Sequence, residues 1–256
     1  MTEAGRATIG LIAAIPQELA HLRAVLAHDR VSEAGGFRFD HGRLEGRDLV
    51  VAEAGIGKVN TAVVATILAL RFEVGLLVFS GVAGGLDPAL EIGDLVIARR
   101  ALQHDAGVIE DGRLQVYQAG HVPFFNPTDR LGWEVPVALV ERVEGALAGL
   151  ELPPLSRAAG GSGRAPKVVL GTVLAGDQFL HCEATRERLH REHAAQAVAM
   201  EGAAMAQVAE RMGIPWLEIR ALSDLAGKDS RIDFAAFVDQ VAASSFTVLR
   251  RLLPVV

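Results

Sequence analysis

The amino-acid sequence predicts an α/β fold in which helices cover a mainly parallel central sheet. Two observations indicate this class. Short, nearly continuous apolar segments alternate with segments of helical periodicity, the pattern expected when both faces of each strand are buried. Half of the 256 residues are hydrophobic but only 5% are aromatic, so small aliphatic side chains would form the contacts between helices and sheet. We expect a single domain that spans residues 1–256.

Seven segments are predicted to be strands because each is a run of four to eight mostly apolar residues. In chain order they are Thr8–Ala14, Arg47–Ala54, Val74–Ser80, Asp94–Arg99, Lys167–Leu174, Ala197–Met200 and Trp216–Ala221. Most of them show no alternation of polar and apolar residues, which favours a sheet that is buried on both faces.

Six segments between or after these runs are predicted to be helices from their helical spacing of apolar residues. They are Pro16–His28, Lys58–Arg71, Pro136–Leu150, Ala184–His193, Gly202–Arg211 and Asp233–Leu253. Proline suits the start of the first helix, since the N–H that it lacks would have no partner there. The segment at about 155–166 is rich in Gly, Ser and Ala, and we interpret it as a flexible surface insertion.

The composition excludes several classes of protein. The net charge is -6, with 25 Lys and Arg against 31 Asp and Glu, so the chain has no basic footprint for nucleic acid. Cys182 is the only cysteine, which excludes an intramolecular disulfide and fits a reducing cytoplasm. No segment approaches the ~18 apolar residues of a membrane span, and the N-terminus lacks the pattern of a signal peptide. We therefore expect a cytoplasmic protein without membrane or nucleic-acid partners.

Three carboxylates follow predicted strands, at the edge where open α/β sheets bind their ligands. Glu18 lies about one turn into the first helix, Glu201 opens a helix, and Asp224 follows the last predicted strand. Partial burial at a strand end raises the pKa of a carboxyl group, which suits a proton donor near neutral pH. Each acid could instead cap a helix or complement its dipole, but three at one sheet edge favour a site.

Other motifs are less informative. Residues 55–60 match neither the P-loop nor the dinucleotide-binding fingerprint. The glycines in Ser80–Leu86 predict a loop that approaches a ligand closely, with a plain turn as the alternative. The eight histidines show no metal-binding spacing, and no serine-hydrolase motif is present. His104 and Asp105 either line a site or form a structural pair.

Taken in order, these motifs resemble the 5′-methylthioadenosine/S-adenosylhomocysteine nucleosidases of the purine nucleoside phosphorylase superfamily. The matching segments are IGLIAAIPQEL, GIGKVNTA, SGVAGGLDPALEIGDLVIA followed by HD, GDQFL, AVAMEGAAMAQVAERMGIPWLEIRALSDLAG and DFAAFV, from residue 9 to about 240. The block at 197–226 is the most specific. The resemblance implies a mixed, twisted central sheet flanked by helices, a homodimer and a purine nucleoside substrate.

The resemblance also implies roles for individual residues. Asp224 would be the general acid that protonates the purine, Glu18 would hold and activate the attacking water, and Arg220 would lie near that water. Glu201, with Met200 beside it, would bind the ribose hydroxyls. The other substrate-binding positions would be Phe179 and Leu180 around adenine, Phe234 on the sugar side, and Val82, Ala83 and Gly84 along the pocket. No cofactor and no metal ion are implied.

Departures from the family leave the 5′ group of the substrate and the nucleophile open. Residues 106–135, which in the family help to form the 5′ pocket partly across a dimer interface, match only loosely, and Val82 and Ala199 replace Ser and Glu. A phosphorylase, a futalosine-type nucleoside hydrolase and a non-catalytic nucleoside-binding protein are the alternatives. Glu18 would repel phosphate, which favours water as the nucleophile. In a symmetric dimer, segment 110–127 would lie near the partner.

Overall fold

The computed structural model of the protein describes residues 7–156 and 162–256. The strands are β1 Ile9–Ala13, β2 Ala27–Ala34, β3 Phe37–Leu44, β4 Arg47–Glu53, β5 Leu76–Gly85, β6 Leu95–Gln103, β7 Gly107–Glu110, β8 Arg113–Val116, β9 Trp133–Glu134, β10 Val168–Ala175, β11 Ala197–Ala199 and β12 Trp216–Asp224. The helices are α1 Pro16–Arg23, α2 Lys58–Arg71, α3 Val137–Leu147, α4 Glu183–His193, α5 Gly202–Met212 and α6 Ser230–Leu252.

The central sheet is mixed. Within the described residues its strand order is β11-β10-β6-β12-β5-β1-β4-β3-β2, with β9 beside β6. Strand β5 runs parallel to β1 and β12, whereas β12 and β6 are antiparallel. Strand β11 pairs with both β10 and β5, so this end of the sheet closes into a ring of five strands. The mixed α/β fold is confirmed, and the expectation of a mainly parallel sheet is wrong.

The core lies around β5, whose residues are all buried. Helix α6 packs on β12 and β5, α1 packs on α6, and α2 packs on α5. Because strands at the centre of such a sheet are covered on both faces, polar side chains at their carboxyl ends are removed from bulk water. This burial sets the electrostatics of the site described below.

The chain between α1 and β4 differs from the prediction. Helix α1 ends at Arg23 rather than His28, and two unpredicted strands follow it. Strand β2 is polar and mostly exposed, so it carries no apolar run that would identify it. The turns Gly35-Gly36 and Glu45-Gly46 have positive φ at both residues, which is typical of two-residue hairpin turns.

The same type of turn joins β7 and β8, in the loosely matching segment 106–135. Asp111 and Gly112 both have positive φ, and the two strands pair in antiparallel register. A Gly-Gly, Glu-Gly or Asp-Gly step between short strands is therefore the signal that locates all three hairpins.

Two further expectations concern segments next to strands. The predicted glycine loop at 80–86 is wrong, because β5 continues to Gly85, with its last residues paired with β11 and, up to Gly84, with β12. Of the predicted insertion at 155–166, residues 157–161 lie outside the described residues, and Arg164 after them donates to Asp94 at 2.8 Å. No helix in the described ranges is long and apolar enough to cross a membrane. The single-domain organisation stays a prediction.

Candidate active site

A cavity of about 200 Å³ opens beside the carboxyl ends of the parallel strands β5 and β12 and the short strand β11. Gly84 of β5 lies beside Asp224 of β12 and Val198 of the antiparallel β11 in the strand registers. All the residues selected from the sequence line this cavity: Glu18, Val82, Ala83, Gly84, Phe179, Leu180, Met200, Glu201, Arg220, Asp224 and Phe234. The fold brings them together, and their individual roles stay predictions.

Glu18, in the first turn of α1, is held by backbone N–H groups. Its Oε2 accepts hydrogen bonds from Ala14 at 2.7 Å and Ile15 at 3.1 Å, and its Oε1 accepts one from Val82 at 2.8 Å. Burial raises the pKa of Glu18 from 4.5 to about 7, although Arg220 and the Val82 N–H act in the opposite direction. A carboxyl group with this pKa exchanges protons readily near neutral pH.

Gly81 allows Glu18 to approach β5 this closely. A Cβ atom at this position would lie 2.4 Å from Oε1 of Glu18 and 2.9 Å from Nη1 of Arg220. Any side chain would therefore displace one of the two charged groups. This close approach, rather than a positive φ, explains the glycine.

Arg220 is the buried cation of the site. Its Nε donates to Glu218 at 2.7 Å, Nη1 donates to the Val82 carbonyl at 3.1 Å, and Nη2 donates to Glu201 at 3.1 Å. The guanidinium also lies over the ring of Phe79, with Cζ 4.1 Å from the centroid. Since each of its three nitrogens has an acceptor, the orientation of this planar group is fixed.

Glu201 precedes α5 and collects donors from three parts of the chain. Its Oε1 accepts from the Gly57 N–H at 3.2 Å, and its Oε2 accepts from the Met200 N–H at 3.1 Å as well as from Arg220. Glu201 is buried but lines the cavity. A carboxylate held in this way can accept further hydrogen bonds from hydroxyl groups of a ligand.

Asp224 has different surroundings, with no ion pair among the described residues. Its Oδ1 accepts from the Ala226 N–H at 2.8 Å and its Oδ2 accepts from the Ser223 hydroxyl at 3.1 Å. The same hydroxyl lies 3.4 Å from the Ala83 carbonyl. Burial raises the pKa of Asp224 above its ordinary value, while these two hydrogen bonds oppose the shift. The raised pKa expected for this strand-end acid is confirmed.

Aromatic side chains form the outer wall of the cavity. The rings of Phe179 and Phe234 are perpendicular, with centroids 6.2 Å apart, and Phe179 is 48% exposed. The Ser230 hydroxyl donates to the Leu180 carbonyl at 3.1 Å and lies 3.0 Å from Nδ1 of His181. The loop after β10 is thus tied to the start of α6, and both contribute to one apolar surface.

Other residues of the site escape the motif analysis. Glu218 carries a usable signal, since a Glu and an Arg two positions apart in an apolar strand lie on the same face and can pair. Lys58 binds Asp105 at 2.6 Å and its N–H donates to Asp177 at 2.8 Å, which ties the loop before α2 to the ends of β6 and β10. Neither His104 nor Asp105 lines the cavity, and Asp105 is bound to Lys58. His104 is buried under Gly176, where a Cβ would lie 2.4 Å from its Nε2.

The two buried acids are both held against β5. Glu18 is anchored on the Val82 N–H, and Asp224 packs against Gly84, where a Cβ would lie 3.0 Å from its Oδ1. Both acids line the same cavity. In the described ranges, no group of three His, Cys, Asp or Glu could hold a metal ion.

Comparisons with known proteins agree with this geometry. The chain matches the phosphorylase superfamily over residues 8–254. It is 57% identical to the 5′-methylthioadenosine/S-adenosylhomocysteine nucleosidase of Mycobacterium bovis, over 97% of both chains. The nucleosidase of Colwellia psychrerythraea, solved in complex with adenine, is similar with a TM-score of 0.81 and 31% identity, covering 97% of this chain and 95% of that one. The futalosine hydrolase of Helicobacter pylori is similar with a TM-score of 0.81 and 27% identity, covering 97% of each chain.

Proposed function

Because this chain belongs to the 5′-methylthioadenosine/S-adenosylhomocysteine nucleosidase family of the phosphorylase superfamily, we propose that it hydrolyses the N-glycosidic bond of these nucleosides. The products are adenine and the 5′-thioribose compound. The observation that carries the proposal is the pair of buried acids, Glu18 and Asp224, which line one cavity and are both held against β5. Hydrolysis needs one acid at the leaving base and one base at the water, and these two groups can supply both.

Asp224 supplies the proton that neutralises the leaving purine. Burial raises the pKa of Asp224 above its ordinary value, which favours the protonated form from which Oδ2 can donate to N7 of the base. The Ser223 hydroxyl lies within reach of both Oδ2 and the Ala83 carbonyl. It donates to the carbonyl while Oδ2 carries the proton and to the carboxylate once the proton has left, which stabilises the ionised state that the reaction produces.

Glu18 accepts the proton of the attacking water. The water oxygen forms a bond to C1′ while the C1′–N9 bond breaks, and the bonding electrons pass to the purine that Asp224 protonates. Three N–H donors fix the position of the Glu18 carboxylate, so the water is held in a defined place. A base with a pKa of about 7 suits this step.

Glu201 holds the ribose, since a carboxylate accepts hydrogen bonds from the 2′ and 3′ hydroxyls. Such bonds strengthen as the sugar acquires oxocarbenium character. Phe179, Leu180 and Phe234 provide apolar surface for the adenine ring and the sugar, and Met200 lies beside Glu201 in the cavity wall.

Phosphate is a poor nucleophile for this site. Among the described cavity-lining residues Arg220 is the only cation, and its three nitrogens already donate to Glu218, Val82 and Glu201. A phosphate dianion beside Glu18 would therefore meet a buried carboxylate without a free cation. This arrangement favours hydrolysis over phosphorolysis.

The experiment is an assay of adenine release from methylthioadenosine in phosphate-free buffer and again with added phosphate, with the sugar product identified by mass. We expect the same rate in both buffers and free methylthioribose as the product. A rate that depends on phosphate, or a sugar 1-phosphate product, would establish a phosphorylase instead.

The 5′ group that the site prefers needs a panel of substrates. The similarity to a futalosine hydrolase makes futalosine hydrolysis the second candidate function. Methylthioadenosine, adenosylhomocysteine, 5′-deoxyadenosine, futalosine and inosine would be compared by kcat/KM. Turnover of futalosine alone would favour the second candidate, and base release from none of the five would favour a nucleoside-binding protein.

We also propose that the protein is a homodimer that associates through α2. Val59, Val63 and Leu70 of this helix are 74%, 40% and 67% exposed, and their spacing of four and seven residues places them in one outward stripe. Ile56, next to this stripe, is 55% exposed and also lines the cavity. A partner on this face would cover an apolar patch and lie at the cavity mouth.

Segment 110–127 is the second part of the proposed interface, since Phe124 and Phe125 are 85% and 82% exposed. Light scattering should give the mass of two chains, and Val63→Glu should give one chain by placing a charge in the apolar stripe. Val25→Glu, at an exposed position remote in sequence from both segments, is the control and should leave the dimer intact. A monomeric wild-type protein with full activity would contradict the proposal. A cytoplasmic location also stays a prediction, which rests on the single cysteine.

A further inference from the structure

Glu218 lies behind the cavity wall, and none of the steps above uses it. It is two positions before Arg220 on β12, so both side chains lie on the same face of the strand. Glu218 is fully buried, at 0% exposure, and its Oε1 accepts the 2.7 Å hydrogen bond from Arg220 Nε. Because a buried ion pair adds little net stability, the geometry that it imposes is its more informative property.

The bond to Glu218 determines where the rest of the guanidinium points. Once Nε is directed to Glu218, the planar group carries Nη2 to Glu201, at 3.1 Å. The carboxylate of Glu18 also lies near Arg220. A Cβ atom added at Gly81 would lie 2.4 Å from Oε1 of Glu18 and 2.9 Å from Nη1 of Arg220. Without the acceptor at Glu218, Arg220 could turn from Glu201 towards Glu18. Glu218 therefore decides how one cation is shared between two acids of the cavity.

Glu218 also packs against the backbone that carries Glu201. A Cβ atom at Gly202, the residue after Glu201, would lie 1.9 Å from Oε1 and 2.2 Å from Oε2 of Glu218. Within the described residues, Oε2 has no hydrogen-bond partner. Leaving a buried oxygen unpaired is costly, so close packing rather than a full set of hydrogen bonds holds this carboxyl group. Burial raises the pKa of Glu218, and the charge and hydrogen bond of Arg220 oppose that shift.

We propose that Glu218 is a positioning residue that directs Arg220 to Glu201 and so holds Glu201 in place for the ribose hydroxyls. The inference rests on the proposed function, in which Glu201 binds the ribose. It predicts a selective effect: Glu218 affects ligands that contain a ribose and leaves the binding of adenine unchanged, because adenine contacts the aromatic wall and Asp224.

The test compares Glu218→Leu with Glu218→Gln by calorimetric titration of two ligands, adenine and a 7-deaza analogue of methylthioadenosine. The leucine variant keeps the volume but has no acceptor for Arg220 Nε, whereas the amide oxygen of glutamine still accepts. We expect the leucine variant to bind the analogue about 10- to 100-fold more weakly, the loss typical of a hydrogen bond to a charged group. Its affinity for adenine and both affinities of the glutamine variant should stay close to wild type.

Two results would overturn the proposal. Equal weakening of both ligands by Glu218→Leu would mean that Glu218 only supports the fold. A glutamine variant as weak as the leucine variant would mean that an acceptor at this position is not sufficient. Asp94→Asn is the matched control, because Asp94 is also 0% exposed and pairs with Arg164 outside the cavity. It should change neither affinity.

Gly202→Ala provides a second route if the leucine variant does not fold. The added Cβ displaces the Glu218 carboxyl group while every functional group remains, so the same ribose-selective loss is expected. If Gly202→Ala weakened the binding of both ligands, or of neither, the result would count against the proposal. The readout is binding, and the 7-deaza analogue lacks the N7 that Asp224 would protonate. A wild-type protein that binds both ligands but hydrolyses no nucleoside would refute the proposed function and leave this test intact.

Discussion

The two ends of the cavity hold buried acids in very different surroundings. At one end, Glu201 binds Arg220, whose charge also acts on Glu18, and the two acids accept hydrogen bonds from five backbone N–H groups. At the other end, Asp224 has one N–H donor and one hydroxyl donor, and the adjacent aromatic wall is partly exposed. The first end is formed by α1, β12 and the start of α5, and the second by the end of β12, the loop after β10 and the start of α6.

This difference explains how one cavity can contain both a proton donor and a proton acceptor. Burial raises the pKa of both Glu18 and Asp224, but only Glu18 has a cation that opposes the shift. Arg220 thus keeps Glu18 at about 7, where it can ionise and take a proton from water. Asp224 has no such partner among the described residues, and the rise of its pKa on burial favours its role as a proton donor.

The largest effect is expected at the acid end. Asp224→Asn keeps the shape but removes the proton, so kcat should fall by roughly 10²–10⁴-fold while nucleoside binding is retained. The rate of adenine release gives kcat, and calorimetric titration gives the affinity for the nucleoside. Asp48→Asn, at an exposed position of β4, is the control and should behave as wild type. Turnover by Asp224→Asn at the wild-type rate would show that Asp224 is not the general acid.

A smaller effect is expected at the base end. Glu18→Gln should lower kcat by about 10²-fold, since the positioned water loses its proton acceptor. In the wild-type protein, kcat should rise with pH around 7 as Glu18 ionises, and this rise should be absent from the variant. A pH–rate profile with the same limb in both proteins would assign the base to another group.

The same group makes stability depend on pH. Glu18 ionises near 4.5 when unfolded and near 7 when folded, so between these values the folded state binds more protons. Its contribution is therefore fully present below about 4.5 and is lost as pH rises through about 7. Melting temperatures recorded across this window should fall less steeply for Glu18→Gln than for wild type.

The smallest effect is expected at the aromatic wall. Phe179 is half-exposed and meets Phe234 edge-on, so Phe179→Ala should weaken both adenine and nucleosides by only about two- to tenfold. Phe179→Tyr keeps the ring and should bind as wild type. If Phe179→Ala weakened the binding of nucleosides but not of adenine, Phe179 would contact the sugar instead. Its effect would then be the same as the ribose-selective effect expected for Glu218.

The sequence predicts most of the buried elements and fewer of the exposed ones. Strand β12 and helix α2 are recognisable from apolar runs and helical spacing, because their burial leaves a pattern in composition. Strand β2 is missed because it lies exposed at the sheet edge and its polar residues resemble those of a surface helix or loop. Strand β3 is missed although it is mostly buried, because its sequence, FRFDHGRL, contains no apolar run. Their turns, with positive φ at Gly35, Gly36 and Gly46, carry the stronger signal.

For the site, the sequence alone identifies the acids and the aromatic residues, because residue type and position after a strand limit what each can do. Only the tertiary structure decides which charges share a partner. Glu201 and Glu218 come from separate segments and bind one guanidinium, whose charge also acts on Glu18. This grouping depends on the closed ring of five strands that contains β5, β11 and β12. Hydrogen bonds and pKa shifts follow from distances of a few ångströms between such segments, and no local pattern encodes those distances.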